Sequence, residues 1–312
     1  MLDIEVNRLN NNPIIYPEMD ETLSHNINGP SLIRMPNWID DPLGTYYLYF
    51  SSHKGSYIYL AYADILDGPW KIYKKGTLQL KDSLFSTTPS IRVPRIAKEA
   101  IEHGSAENKP HIGSPDVHVH EDSKEIRMYY HGLQSNGYQT TQVARSRDGI
   151  HFKPEPEIIS FSYLRVFEFA KWYYGMYMPG IFYRSPNGIS NWEKGPILFN
   201  RNMRHSALRI VKNLLQVFWT KVGDSPEKVL LSTIDLSNNW SEWNESPSIE
   251  ILRPETEWEG GNLPAETSFR GLVDEPVCQL RDPAIYEEND KVFLLYSIAG
   301  ESGIAIAELK RL

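Results

Sequence analysis

Two acidic residues near the end of the chain, Asp282 and Glu301, stand where carboxyl chemistry could be built. Asp282 lies in the stretch Leu280-Arg281-Asp282-Pro283-Ala284-Ile285-Tyr286, and Glu301 follows the return stretch Lys291 to Ser297 and the turn at Gly300. A turn at Asn289-Asp290 makes the two stretches an antiparallel hairpin. The start of its first strand and the end of its second therefore share one end of the sheet. Gly303 to Glu308 leaves as a third strand. Carboxyls brought together in this way can act as a general acid and base.

The element that positions these acids recurs along the chain. Unit one runs through Gly29 to Arg34, Tyr46 to Ser52 and Tyr57 to Ala63, then turns at Asp67-Gly68-Pro69-Trp70 into Lys71-Ile72-Tyr73. Unit two begins at Gly113-Ser114-Pro115-Asp116, returns through Ile126 to His131, and continues through Gln139 to Arg145. Unit three occupies Tyr163 to Trp192, unit four His205 to Trp240, and unit five is the stretch already described. A repeat of about 50–60 residues holding four antiparallel strands predicts an all-β, five-bladed β-propeller, because no blade can bury both faces alone. The blades are expected over 29–80, 113–160, 163–200, 205–252 and 280–309, in a single domain over 1–312, with insertions at 81–112 and 253–279. Within the first insertion, Ile96 to His103 reads as a short amphipathic helical piece. Unit five lacks a fourth strand, and residues 3–8, which alternate as a lone strand, are expected to supply it and remove an exposed edge. A β-sandwich is the competing architecture.

Composition agrees with many short strands and turns. The chain has 312 residues with 18 Tyr, 8 Trp, 21 Pro and 20 Gly. A net charge of -8 without a basic block argues against nucleic acid and anionic membrane as partners. Cys278 is the only cysteine, so no intrachain disulfide can form. The N-terminus lacks the pattern of a signal peptide, and no apolar run is long enough to span a bilayer, so a cytoplasmic location is expected.

In a propeller, the starts of the first strands and the ends of the second strands meet at one mouth. The residues there are His25, Asn28, Ser52, His53 and Lys54 from unit one, and Ser114, Asp116 and His131 from unit two. Tyr163 and Arg165 come from unit three, Arg204, His205 and Lys221 from unit four, and Arg281, Asp282 and Glu301 from unit five. Such a concentration of ionisable groups is what a ligand pocket needs. Plainer readings stand beside it. Arg281-Asp282 also reads as a structural ion pair, and Glu301 as an exposed loop acid. Asp116, His118 and His120 share a strand face, but a His-x-His without a third ligand in register is a weak zinc signal, and no metal ligand set is assigned.

These residues resemble the five-bladed propeller glycoside hydrolase superfamily, with its arabinanase/xylosidase-like, invertase-like and neoagarobiosidase-like branches. The resemblance rests on the proline-opened strands Gly29-Pro30-Ser31-Leu32-Ile33-Arg34 and Arg281-Asp282-Pro283-Ala284-Ile285. The stretch Gly44 to Tyr49 and Asp67-Gly68-Pro69-Trp70 add to it. Arg281-Asp282-Pro283 looks like the element whose Asp stabilises the transition state in invertase-like members. This chain is a divergent case. Gly29 stands where arabinanase-like members place an Asp before the blade-one proline, Ser114 stands at the corresponding place in blade two, and no Glu-x-Pro strand start occurs.

The resemblance implies a carbohydrate substrate and a glycosidase, and matches Asp282 alone to a family motif; Glu301 and Asp116 are the other mouth carboxyls expected to take part. Glu301 is expected to be the acid, with a raised pKa. Asp282 beside Arg281 is expected to stay ionised as base or transition-state stabiliser, and Asp116 to serve as a second base or to tune the acid. His25, Asn28, His53, His131, Arg165, His205, Lys221 and Arg281 are expected to bind the substrate. No cofactor is required, although the central channel has room for a structural cation. A carbohydrate-binding propeller that does not cleave, a glycoside phosphorylase and a protein-interaction scaffold remain alternatives. Whether Glu266, Asp274 or Glu275 in the long segment before unit five folds over the mouth and supplies the missing acid is left open by the sequence.

Overall fold

Tyr, Val, Leu and Ile alternate with polar residues between Gly, Pro and Asn-Asp turns, and each such run forms a strand. A computed structural model describes residues 4–53, 55–90 and 109–311. Lys54 and the piece Ile96 to His103 lie outside the described residues. Blade one is β2 (Asn28–Arg34), β3 (Tyr46–Ser51), β4 (Tyr59–Ala63) and β5 (Lys71–Ile72). Blade two is β6 (Ile112–His120), β7 (Glu125–Leu133) and β8 (Gln139–Ser146), and both β9 (Lys153–Pro154) and β10 (Ser160–Phe161) pair with β8. Blade three is β11 (Arg165–Phe169), β12 (Trp172–Tyr177), β13 (Ile181–Ser185) and β14 (Glu193–Ile197). Blade four is β15 (Met203–Val211), β16 (Leu214–Lys221), β17 (Val229–Asp235) and β18 (Ile249–Leu252). Blade five is β19 (Arg281–Glu288), β20 (Lys291–Ser297) and β21 (Ile304–Lys310), completed by β1 (Glu5–Arg8) pairing antiparallel with β21. The chain is a five-bladed β-propeller closed by its N-terminal strand. No helix among the described residues is long and apolar enough to cross a membrane.

The core is divided among the seams between blades. Successive strand residues point to opposite faces, so neighbouring tyrosines serve different seams. Tyr46 packs toward blade five with Ala284 and Phe293, whereas Tyr47 packs toward blade two with Ile126 and Met128. Tyr129 faces blade three and Tyr130 faces blade one. Each large side chain buried in this way stabilises the seam by roughly 1.5–3 kcal/mol.

The inner strands share one irregularity that shapes the mouth. Gly29, Ser114 and Asp282 have φ of 60°, 47° and 48°, and each precedes a proline. Strand register slips at each of them: between Asn28 and Ser31, between Gly113 and Asp116, and between Arg281 and Ala284. Blade four slips likewise between Arg204 and Ser206, at His205. Bulges of this kind re-aim side chains. At Gly29 the backbones come so close that an added Cβ would lie 3.0 Å from Ser114 Cα. A side chain at that position would require the seam between blades one and two to shift by a few tenths of an ångström.

One buried carboxylate ties the closing strand to the fold. Glu259 Oε1 accepts from Arg8 Nε at 2.8 Å and from the Tyr296 hydroxyl at 2.9 Å. Its Oε2 accepts from Arg8 Nη2 at 3.0 Å and from the Glu255 and Thr256 N–H groups at 2.9 and 3.1 Å. Burial pushes its pKa up, but Arg8 and the two N–H groups outweigh that and hold it below the ordinary carboxylate value. Its stabilisation is therefore present above the ordinary carboxylate pKa and is lost as pH falls through the depressed value. Glu259→Ala leaves Arg8 without its buried partner and should destabilise the fold by about 3–5 kcal/mol in urea titrations at neutral pH. A change below about 1 kcal/mol would show that the closure does not depend on this group.

Candidate active site

At the mouth, the bulge of β19 turns Asp282 toward β15, while the turn after β20 brings Glu301 back over the start of β19. Both are buried, at 2% and 1% exposure. Glu301 is held by three side chains. Its Oε2 accepts from Asn26 Nδ2 at 2.6 Å and lies 2.8 Å from His53 Nδ1, and its Oε1 accepts from Arg281 Nη1 at 3.0 Å. Asp282 has fewer donors. The Tyr163 hydroxyl favours its charged form, and His205 Nδ1 lies 3.3 Å from its Oδ1, but neither makes an aligned hydrogen bond to it. Asp282 Oδ2, His205 Nδ1, His131 Nδ1, Arg204 Nε and Glu227 Oε1 are buried without a hydrogen-bond partner among the described residues. Unpartnered polar atoms are rare in folded proteins, and here several occur around one point.

The two carboxyls are driven in opposite directions. Burial and the charge of Glu301 raise the pKa of Asp282 to about 6, against the pull of Arg204, His53 and Tyr163. Burial also opposes ionisation of Glu301, but His53, Arg281 and Asn26 overcome it and hold Glu301 far below the usual range. The expectation of Glu301 as the protonated acid and Asp282 as the ionised partner is thus reversed. Arg281, invoked to keep Asp282 ionised, gives its hydrogen bond to Glu301 instead. His53 is raised, because the Glu301 charge outweighs the effect of burial. Burial, together with Arg204 and Arg281, keeps His205 well below its ordinary value, and burial with His111 does the same for His131.

The other expected site residues fall into distinct places. Asn28 lies in the cluster, with its Nδ2 2.8 Å from Asn26 Oδ1 and 2.9 Å from His53 Nδ1. His131 opposes Gly113 across blade two. Arg281 is fully enclosed and serves Gln279 Oε1 and the Gly271 carbonyl as well as Glu301. Arg165 is a clamp between blades, donating to the Pro115 carbonyl at 2.6 Å and the Ser206 carbonyl at 3.0 Å. Asp116 lies beyond its bulge, down the channel, where its Oδ2 meets His118 Nε2 and the Val166 N–H, each at 2.8 Å. Burial disfavours its charge, but His118 and Arg165 hold its pKa below the ordinary value. Lys221 sits at the end of β16, 3.7 Å from Asp224. His25 is exposed on the approach to β2.

The part of Glu227 and the carbonyls of the segment before β19 were not read from the sequence, which raised that segment only as a source of acids. Glu227 is fully buried, 3.5 Å from Arg204 and 3.4 Å from Arg281. The segment before β19 crosses the mouth and contributes carbonyls. Arg204 donates to Phe269 O at 2.9 Å, Arg281 to Gly271 O at 2.9 Å, and Asn26 to Val273 O at 3.2 Å. Glu266, Asp274 and Glu275 point outward on the same segment, so its part in the mouth is to accept hydrogen bonds. Among the described residues, no three His, Cys, Asp or Glu side chains converge as a metal-ligand set.

A raised carboxyl pKa makes stability fall as pH rises between the unfolded value, near 4, and about 6. Asp282→Asn removes that ionisation. The variant should be more stable than wild type by roughly 1–3 kcal/mol above pH ~7, and the difference should close toward pH ~4. A variant less stable than wild type at every pH would show that the buried charge of Asp282 is not what burdens the site.

Compared with known proteins, the chain matches no family model. It is 34% identical over 313 residues to the uncharacterized protein R118 of Acanthamoeba polyphaga mimivirus, covering 92% of this chain and 84% of that one. Among solved structures, a glycosyl hydrolase from Bacteroides ovatus superposes with TM-score 0.64 at 11% identity, over 97% of this chain and 93% of that one. CoXyl43, a GH43 beta-xylosidase/alpha-arabinofuranosidase from a compost metagenome, gives 0.55 at 13%, over 95% and 94%. The alpha-L-arabinofuranosidase of Lactobacillus brevis gives 0.55 at 10%, over 95% and 92%. Identities this low establish the shared fold. The chain belongs to the family of the R118 protein and shares the five-bladed propeller fold of solved family-43 glycoside hydrolases.

Proposed function

We propose that this protein hydrolyses a glycosidic bond at the propeller mouth, with Asp282 as proton donor and Glu301 as its ionised partner. One observation carries the reading: two buried carboxyls at one mouth have their pKa values pushed apart, so that one keeps its proton toward neutrality while the other stays charged. Glycoside cleavage requires that division of labour. Asp282 protonates the leaving oxygen as the bond to the anomeric carbon breaks. Glu301, too weak a base to take up a proton, supplies negative charge to the oxocarbenium-like centre, to which water adds as its proton passes to the Asp282 carboxylate and restores the acid. The Arg281, Asn26 and His53 contacts hold Glu301 ionised throughout. A substrate reaches the pair when the 269–273 segment releases its carbonyls from Arg204, Arg281 and Asn26. The solved neighbours named for xylosidase and arabinofuranosidase activity make terminal pentosides the first substrates to try. This scheme routes no step through a metal or cofactor.

The near-complete burial of both carboxyls favours a second reading, a propeller that binds a carbohydrate without cleaving it. Aryl β-xylosides and aryl α-arabinofuranosides separate the two. Asp282→Asn and Glu301→Gln should each lower kcat/KM by about 10²–10⁴-fold. The Asp282→Asn loss should shrink with better leaving groups, which need no proton. Wild-type activity should fall as pH rises past about 6, where Asp282 loses its proton. Full activity in both variants would overturn the assignment. Calorimetric binding of pento-oligosaccharides without any product would establish the second reading.

A further inference from the structure

His205 sits between a cation and an acid. On one side, Arg204 Nη2 lies 3.3 Å from His205 Nε2. On the other, His205 Nδ1 lies 3.3 Å from Asp282 Oδ1. The Tyr163 ring covers the imidazole face at 4.7 Å between centroids, tilted 31°. A guanidinium has donors only, so a ring nitrogen within its reach must offer a lone pair. A neutral imidazole with Nε2 as acceptor carries its proton on Nδ1. We infer that Arg204 is a positioning residue: it fixes His205 as the neutral Nδ1–H tautomer, aimed at Asp282.

Three consequences tie the inference to the geometry. Without Arg204, Nε2 is free to take a proton, and the positive charge of an imidazolium 3.3 Å from Asp282 would favour the carboxylate over the protonated acid. The 3.3 Å contact is not an aligned hydrogen bond, and His205 Nδ1 and Asp282 Oδ2 both lack partners among the described residues. Catalytic hydrogen bonds are often long before substrate binds and tighten in the complex. Arg204 is itself held in place, donating to the Phe269 carbonyl at 2.9 Å and lying 3.5 Å from Glu227. That anchorage gives Glu227 and the mouth-crossing segment a part in setting the ring. The charged and titratable groups around His205 are Arg204 on its own strand, Tyr163 from blade three, Arg281 and Asp282 from blade five, His53 from blade one, and Arg270 from the crossing segment. Around Asp282 they are Glu301, Arg204, Arg281, Arg165, His53, His205 and Tyr163. The Asp282 role rests on the function proposed above, whereas the tautomer can be measured without any activity.

The test is long-range ¹H–¹⁵N correlation NMR on the full chain labelled at histidine, with His205→Gln identifying the His205 signals. The wild-type ring should show a protonated Nδ1 and a bare Nε2 across roughly pH 5 to 8, the range in which an unperturbed histidine titrates. In Arg204→Met the proton should move to Nε2, or the ring should become imidazolium within that range. A wild-type ring carrying its proton on Nε2, a wild-type imidazolium, or an unchanged ring in Arg204→Met would overturn the inference. Should Arg204→Met fail to fold, the wild-type spectrum decides alone. A protein with the expected tautomer and no glycosidase activity would lose the proposed function and keep the Arg204 role.

Discussion

Arg281 is the constraint on which the mouth depends. Five inner strands converge there, and a guanidinium enclosed among them loses its water entirely. Removing an ion from water costs several kcal/mol even after relaxation, so every donor needs a partner. The chain supplies them from four directions: Gln279 just before the strand, Glu301 from the returning turn, Glu227 from blade four, and the Gly271 carbonyl from the segment across the mouth. The course of that segment follows from this need. Its alternate carbonyls at 269, 271 and 273 satisfy donors that water would otherwise have to reach. Breaking any one contact leaves a buried charge exposed to a poor environment, which is why the cluster acts as a unit.

The same pairing creates the difference between the two carboxyls. Arg281, Asn26 and His53 all serve Glu301, and little remains for Asp282 except Tyr163 and a neutral histidine. The backbone reinforces the asymmetry. Asp282 is held at φ 48° before a proline, a position where most residues are driven to extended conformations. Unfavourable backbone geometry and a poorly solvated acid at one residue are a combination that folded proteins tend to keep at working sites.

Most of the architecture was legible in the sequence. Strand-turn periodicity, the four-strand repeat and the spare N-terminal strand specify the propeller and its closure, because edge strands and half-covered blades admit few other solutions. The meeting of Arg281, Asp282 and Glu301 followed from one hairpin. What stayed hidden depends on contacts across hundreds of residues or on register. Asn26 meets Glu301 across 275 positions, and nothing local marks Glu227 as buried. The bulge at Ser114-Pro115 displaces Asp116 down the channel, a slip that strand periodicity alone does not reveal. The pKa directions of the two carboxyls run opposite to the expectation from sequence, because adjacency of Arg281 and Asp282 suggested an ion pair, whereas the guanidinium hydrogen-bonds Glu301. Lys221 and His25 were placed at the mouth by position along the strand; Lys221 reaches toward Asp224 and His25 is exposed, and neither contacts the buried carboxyls.

The central claim is that two buried carboxyls in contact with one charge network hold opposite protonation states. A ¹³C NMR titration of the side-chain carboxyls, with Asp282→Asn and Glu301→Gln for assignment, measures this directly. The account predicts that the Glu301 signal stays at its ionised position throughout the folded range. The Asp282 signal should titrate far above an ordinary aspartate, near pH ~6. An Asp282 already ionised at pH ~4, or a Glu301 that takes up the proton in its place, would contradict it.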